Sequence, residues 1–286
     1  MPRPPSAPRP KRPAIRAHAT STAARWRSQV RERLGETARL RVRAGFPSEL
    51  WSPTRARRYA RDVSVALPSD PLLARLLQER ARSYLDLGAG TGRYAIALAR
   101  AGREVVAVEP SAGMCAELER GARGEASIRI VPADWPVAGV TGDVAFAAHV
   151  LFLVEDAERF VRAMTAAATR RCYLLLAALH SDAITDPLWR HFHGTPRRSS
   201  PTYLDAVALV REQGVRARVV LLPAPRPMRY RSLARAISTY REHLALPGDA
   251  ATVRELRNVL RSWLVRRDGG FEPPAVPRPA LIEWRP

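Results

Sequence analysis

Gly88, Gly90 and Gly92 close an apolar run in YLDLGAGTGRYA, residues 84–95, and a carboxylate, Asp86, stands two positions before the first of them. Glycine at the end of a strand permits positive φ and lets the backbone approach a ligand with no Cβ in the way. A helix that follows adds free N–H groups and the positive end of its dipole. A dinucleotide site reads GxGxxG, with the pyrophosphate resting on the helix end. Here Arg93 occupies the place of the third glycine, and Asp86 would set an anion beside a pyrophosphate. An acid at that point suits a ligand that brings an amino group.

The next apolar run, EVVAVEPS, ends in Glu109, 17 residues beyond Gly92. A carboxylate closing the second strand can accept from both hydroxyls of a ribose and repels a 2′-phosphate. Further on, VPADWP supplies Asp134, an acceptor suited to an adenine amino group, and Trp135, a flat neighbour for the ring. An amino-acid end, a ribose and an adenine together describe S-adenosylmethionine.

In order along the chain, DLGAGTG, VEPSAGM, PADW and GDVAFAAHVLFLVED resemble the successive motifs of the class I S-adenosylmethionine-dependent methyltransferases, particularly their broad small-molecule group, over about residues 80 to 180. The resemblance implies a Rossmann-like α/β fold. Its sheet is mostly parallel and seven-stranded with helices on both faces, N-terminal helices precede it, and a helical insertion lies between its last two strands. The same resemblance has Asp86 and the glycines hold the methionine moiety, Glu109 the ribose, and Pro110, Asp134 and Trp135 the adenine, while the end of strand 4 near His149 borders the transferred methyl. Tyr59, in WSPTRARRYARD, resembles the tyrosine that such enzymes place over the cofactor from the N-terminal helices. Plainer readings stand beside these: a tight strand-to-helix turn for the glycines, a cap for Asp134, and packing for Trp135 and Tyr59.

The elements that must position these residues are legible as alternating patterns. Apolar runs predict strands at 83–87, 104–108, 127–131, 143–150 and 172–179, with helices at 91–101, 111–121 and 156–169. Nearly continuous apolar strands such as VVAV and YLLLAA imply a parallel sheet covered on both faces, whose ligands bind beyond the carboxyl ends of the strands. Upstream, one or two helices are expected to about residue 64, and another in SDPLLARLLQER, where Ser69 or Asp70 caps and Pro71 sits in the first turn. Downstream, a helix at 202–213 and strands at 217–223 and 279–284 are expected. Between the strands, helices at 231–244 and 249–266 end in a DGG turn.

Methyl transfer asks mainly for alignment and desolvation, with a general base only where the nucleophile must lose a proton. His149 and His180 close the predicted strands 4 and 5 and are the two catalytic candidates, each with a structural alternative. His191 and His193, in RHFHG, are two apart, but no third ligand has matching spacing, so they read as a substrate-loop or surface feature and no metal is expected. Cys115 and Cys172 lie in no CxxC or Cys/His cluster and read as buried reduced thiols. RNA methylation at a ribose or base, using the basic surface, is the rival activity. The chain lacks an Asp/Asn-Pro-Pro-aromatic segment after strand 4 and a cysteine nucleophile at that position. A non-catalytic cofactor-binding or partner-docking protein on the same fold is the alternative of another class.

The formal net charge is +20, from 47 basic and 27 acidic residues, and lysine occurs once, at Lys11. Residues 1 to 31 hold eight of the basic residues, no acid, and six prolines within the first thirteen positions. That stretch reads as a disordered basic tail, with a nucleic-acid arm and a transit peptide as sharper alternatives. The expected organisation is this tail at 1–31, an N-terminal helical segment at 32–80 forming a cofactor lid, the α/β core at 81–224, a helical insertion at 225–278 forming a substrate lid, and a final core strand at 279–286. Arg226, Arg229, Arg231 and Arg235, interleaved with Tyr230 and Tyr240, make that insertion the expected place of substrate selection, for a small-molecule acceptor, acidic ones included. No apolar run approaches the ~20 residues needed to span a bilayer and no signal peptide opens the chain, so a cytoplasmic protein without membrane contact is expected.

Overall fold

A computed structural model describes residues 21–63 and 65–286. In chain order the elements are α1 (Thr22–Arg43), α2 (Pro53–Asp62), α3 (Pro71–Gln78), β1 (Ser83–Leu87), α4 (Ala95–Arg100), β2 (Glu104–Val108), α5 (Ala112–Gly121), β3 (Ile128–Val131) and β4 (Gly142–Ala148). After a short 3-10 turn follow α6 (Ala157–Ala167), β5 (Ala168–Ala177), α7 (Ser181–His193), α8 (Tyr203–Glu212), β6 (Arg218–Leu221), α9 (Leu233–His243), α10 (Ala250–Trp263), β7 (Val265–Arg267), β8 (Gly270–Glu272) and β9 (Pro279–Trp284).

Seven strands form one sheet in the order β3-β2-β1-β4-β5-β9-β6. The first five are mutually parallel, whereas β9 runs antiparallel to both its neighbours, β5 and β6. The strands are apolar on both sides because both sides are covered. Along β5, Cys172, Leu174 and Leu176 point into one core while Tyr173 and Leu175 point into the other. α1, α6 and α8 close the first face, and α3 and α4 the second. The period-2 alternation of a strand thus feeds two apolar layers at once. The strand order reverses beside β1, where β2 lies on one side and β4 on the other, so the carboxyl ends of these three strands frame the crevice.

The expected cap of α3 is Asp70, whose carboxylate accepts from the Leu72 and Leu73 N–H groups at 3.0 and 3.1 Å, with Pro71 in the first turn. The insertion between β6 and β9 holds α9 and α10, as the pattern suggested, and also a hairpin, β7–β8, which turns at the DGG segment. It has its own apolar cluster, in which Tyr230, Tyr240, Leu256 and Leu260 pack with Leu188 and Trp189 of α7.

Two expectations are corrected. The basic tail does not extend to residue 31: α1 starts at Thr22, capped by the Ser21 hydroxyl. Trp26 and Val30 are completely buried on the first face, and the Trp26 indole N–H donates to the Val154 carbonyl at 2.8 Å. An acid-free run of arginine concealed the first turns of a helix, whose acidic partners come from elsewhere, since Arg27 pairs with Asp156 and Arg31 with Glu155. The part of the tail reading that concerns residues 1–20 lies outside the described residues. Second, RHFHG is not a loop but the last turn of α7, ended by Gly194.

Candidate functional site

The turn after β1 is fixed by two hydrogen bonds, from the Gly88 and Ala89 N–H groups to the Val108 carbonyl that ends β2. Its three glycines all have positive φ but different surroundings. A Cβ on Gly88 would meet the Val150 side chain at 2.4 Å, and one on Gly92 would meet Leu118 at 2.2 Å. Beyond Gly90 there is nothing within 4 Å. Gly90 therefore lines the open side of the turn, and its neighbours allow the turn to sit close against α5 and the β4 end.

Asp86 is 2 % exposed and accepts from the Ala95 N–H at the start of α4, yet its Oδ2 has no hydrogen-bond partner. Burial, then the charge of Glu109, then partly offset by that N–H, push its carboxyl up to about 8. A buried acid with one oxygen left without a donor answers to a cationic one.

Glu109, 6 % exposed, accepts from the Gly90 N–H at 2.8 Å through one oxygen and from the Ser111 N–H at 2.9 Å through the other. Burial raises its pKa, the two N–H groups oppose that shift, and Asp134 adds to it. Each oxygen keeps a lone pair for further hydroxyl donors. Pro110 and Asp134 are exposed on the same rim. Trp135 is turned inward: its indole N–H donates to the Phe160 carbonyl of α6 at 3.1 Å and its ring packs on the first core.

His149, one residue past β4, adopts a left-handed φ of 61° and is tethered by its own N–H to the Leu175 carbonyl of β5. Its imidazole is open to solvent between the walls of the crevice, and those walls, then Arg93, lower its pKa, with Asp70 opposing. His180 has a structural task. It caps α7, its Nδ1 accepting from the Asp182 N–H at 3.1 Å, and its ring stands edge-on to Phe152. His191 meets Glu255 of α10 at 2.9 Å and His193 meets the Leu244 carbonyl at 2.8 Å, so both dock α7 onto the insertion. The Cys115 and Cys172 thiols are buried and donate to the Glu109 and Met164 carbonyls.

Tyr59 stands in α2, edge-on to Trp51 with ring centroids 5.1 Å apart. α2 is held against α5 by Gly113, where a Cβ would meet the Trp51 carbonyl at 2.8 Å, and by the Ser111 hydroxyl, which donates to that carbonyl. Burial raises the Tyr59 pKa and Arg93 opposes it, which places Tyr59 near the residue that follows Gly92. Beside it opens a cavity of about 430 Å³ between α2, α7 and α9, lined among others by Trp51, Arg55, Tyr59, Met228, Tyr240 and Glu242. The sequence reading missed this cavity's charged wall. Its signal was the spacing of Arg55, Arg58, Tyr59 and Asp62, which share one face of α2.

Residues 85–176 match a family model described as a methyltransferase domain. Among solved structures, the chain is similar to YcgJ protein from Bacillus subtilis (TM-score 0.51, 16% identity, 75% of this chain and 98% of that one). It is also similar to a protein from Anabaena variabilis described as a methyltransferase from an antibiotic biosynthesis pathway (0.53, 15%, 74% and 95%). A third is a protein from Galdieria sulphuraria described as a sarcosine dimethylglycine methyltransferase (0.50, 14%, 80% and 97%). At these identities the likeness is one of fold. Comparison with curated proteins gives no match. Residues 85–176 thus match a methyltransferase domain, and the seven-stranded sheet, with β9 inserted antiparallel beside β5, has the Rossmann-like fold of the class I S-adenosylmethionine-dependent methyltransferases.

Proposed function

We propose that the protein transfers the methyl group of S-adenosylmethionine to a small-molecule acceptor. The observation that carries this reading is the unpartnered Oδ2 of buried Asp86, beside the open face of Gly90. Asp86 takes the ammonium of the methionine end, Gly90 admits the chain of the ligand, and Glu109 accepts from the ribose hydroxyls while its backbone partners hold it in place. Asp134 and Pro110 edge the adenine. Trp135 fixes the loop from behind, and its indole N–H is already engaged with α6.

When bound, the donor supplies a methyl carbon activated by a sulfonium, whose carbon–sulfur bond electrons leave on neutral sulfur as the acceptor's lone pair forms the new bond. The protein's contribution is to align acceptor and donor in one line and to exclude water. In this reading Tyr59 and His149 border that reaction space. His149, held below its ordinary pKa, is neutral at pH 7 and free to take a proton from an acceptor that must lose one.

Calorimetric titration of the full chain with S-adenosylmethionine, S-adenosylhomocysteine and NAD tests the reading. Micromolar binding of the first two, none of NAD, and loss of binding in Glu109→Ala are expected. No binding of either sulfur compound would overturn it.

A further inference from the structure

The cavity beside Tyr59 has an unusual charge balance. Three arginines, Arg41 of α1 and Arg55 and Arg58 of α2, converge on one carboxylate, Glu242 of α9, which is 8 % exposed. Arg41 reaches Glu242 Oε1 at 3.4 Å from both Nη atoms, Arg58 bonds the other oxygen, and Arg55 approaches with Nε at 3.6 Å. Asp62 does not redress the balance, because Arg235 holds both its oxygens at 2.9 Å. Three cations against one anion leave a surplus of two positive charges at this wall.

The surplus has a definite outlet. Arg55 lies over the Trp51 ring at 4.9 Å, a stacking that fixes the guanidinium plane, and its Nη1 is buried with no hydrogen-bond partner. A buried guanidinium N–H without an acceptor is costly and uncommon. Burial, then repulsion from Arg41 and Arg58, lower its pKa to about 10, so it is still a cation at pH 7 and in want of a counter-ion. The rest of the cavity wall is flat and largely apolar, from Trp51, Tyr59, Met228, Tyr230 and Tyr240. Glu242, in the same cluster, disfavours an anion of higher charge. An adjoining cavity shares Asp62, Met228 and Tyr230 with this one and is lined by Arg93, the residue after Gly92, so the wall opens toward the glycine turn.

We propose that this cavity is the acceptor site and that it takes an aromatic carboxylate, with the acid on Arg55 Nη1 and the ring among Trp51, Tyr59 and Tyr240. The proposal rests on the methyltransferase reading for the word acceptor, but its binding chemistry is tested apart from it. Arg55 is here a substrate-binding and specificity residue.

The test uses the full chain saturated with S-adenosylhomocysteine, titrated calorimetrically with salicylate, 4-hydroxybenzoate and indole-3-acetate and with the primary amide of each. At least one acid is expected to bind at least about tenfold more tightly than its amide, as a charge-assisted hydrogen bond in a desolvated site requires. Arg55→Gln is expected to erase that preference while leaving S-adenosylhomocysteine affinity unchanged. If circular dichroism shows that this variant does not fold, Arg55→Lys replaces it, since it keeps a cation against Glu242 but withdraws the Nη1 donor, and it should lose most of the preference. The proposal is overturned if no acid is preferred over its amide, or if a folded Arg55 variant keeps the preference. Failure of S-adenosylhomocysteine to bind would instead count against the methyltransferase reading. The same acid and amide titrations on the ligand-free chain would then still decide the cavity.

Discussion

Arg33 of α1 and Asp182 of α7, 149 positions apart in sequence, meet in the interior with Nη1 and Oδ2 3.5 Å apart and both side chains under a tenth exposed. Arg197 reaches the other Asp182 oxygen at 3.0 Å, and His180 stands at 3.3 Å from the first. One carboxylate thus anchors the N-terminal helix, α7 and the segment leading to α8. Burial opposes its ionisation, but the Arg197 charge, with the His180 and His243 rings beside it, outweighs that and holds its carboxyl below the ordinary range.

The consequences of breaking this centre are unequal. Asp182→Asn leaves Arg33 and Arg197 buried without a counter-charge and should cost about 3–5 kcal/mol. Arg33→Met leaves Asp182 paired with Arg197 and should cost less, about 1–3 kcal/mol, through the orphaned Phe152 carbonyl that Arg33 Nη2 also serves. Urea unfolding of the two variants beside the parent gives the order directly, and equal or inverted losses would contradict the anchoring role.

α1 belongs to the folded core, so its removal should be felt far from its own sequence. Trp26→Ala should destabilise by about 3–5 kcal/mol, the range for emptying a large buried aromatic site. Deleting residues 1–31 should do at least as much, because it takes Trp26 and Val30 from the face formed by α6 and α8. Thermal melts followed by circular dichroism would detect either; a truncated chain that melts with the parent would place the first face's closure elsewhere.

The stability that His243 contributes should be lost on acidification before ordinary carboxylates titrate. His243, bonded to Thr185 Oγ1 at 3.0 Å and 3.4 Å from Arg197 Nη1, is held down to about 4 by burial, then by the Arg197 charge, with Asp182 opposing. A histidine whose folded pKa lies below its unfolded value of about 6.5 contributes stability that is complete above 6.5 and is lost as pH falls from there toward 4. Asp182, also depressed, adds its own loss below about 3.9. Asp86, raised to about 8, contributes in the opposite sense over the same range, so the informative quantity is the parent's urea midpoint relative to that of His243→Gln, which should fall as pH goes from 7.5 through 6 to 5.

How much of this was legible depended on whether a residue's partner lay nearby in sequence. β1 and β2 were readable to the residue, because a doubly buried strand is apolar throughout and a glycine turn or an acid ends it. Asp86, the glycines and Glu109 were readable because the strand-to-helix turn fixes their spacing locally. α7 was missed: its second turn holds Pro187 and its face is completed by the insertion, so neither propensity nor period marked it. The start of α1 was missed because its arginines look unpaired until Glu155 and Asp156, just before α6, and Asp205 of α8 come alongside. Glu242, the buried acid of the arginine wall, reads in sequence as one more polar residue of an exposed helix, and only the packing of α9 against α2 gives it meaning.

Within the glycine turn, two substitutions should separate stability from ligand binding. Gly92→Ala forces a methyl into Leu118 at a φ of 83° and should destabilise the fold by several kcal/mol unless α5 shifts. Gly90→Ala meets no protein atom and costs only the strain of a left-handed alanine, about 1–2 kcal/mol, yet its methyl projects into the space the ligand needs. Melting temperature should fall more in the first, and S-adenosylhomocysteine affinity should fall at least about tenfold in the second while the protein stays folded at 25 °C. Unchanged affinity in folded Gly90→Ala would remove Gly90 from the proposed cradle.

Asp86 makes the sharpest pH prediction. In the free protein its carboxyl sits at about 8, so near neutrality it carries a proton, and the stability this confers is present below about 3.9 and lost as pH rises through 8. The ammonium of the methionine end calls for the ionised form, so binding must expel that proton. The dissociation constant of S-adenosylhomocysteine should consequently fall about tenfold per pH unit between pH 6 and 8 and level off above 8. Titrations at pH 7 in buffers of different ionisation enthalpy should register close to one proton released per ligand bound. In Asp86→Asn the affinity should be weaker and the slope flat; a parent protein that binds with no pH slope and no proton release would show that the ligand's amine does not rest on Asp86.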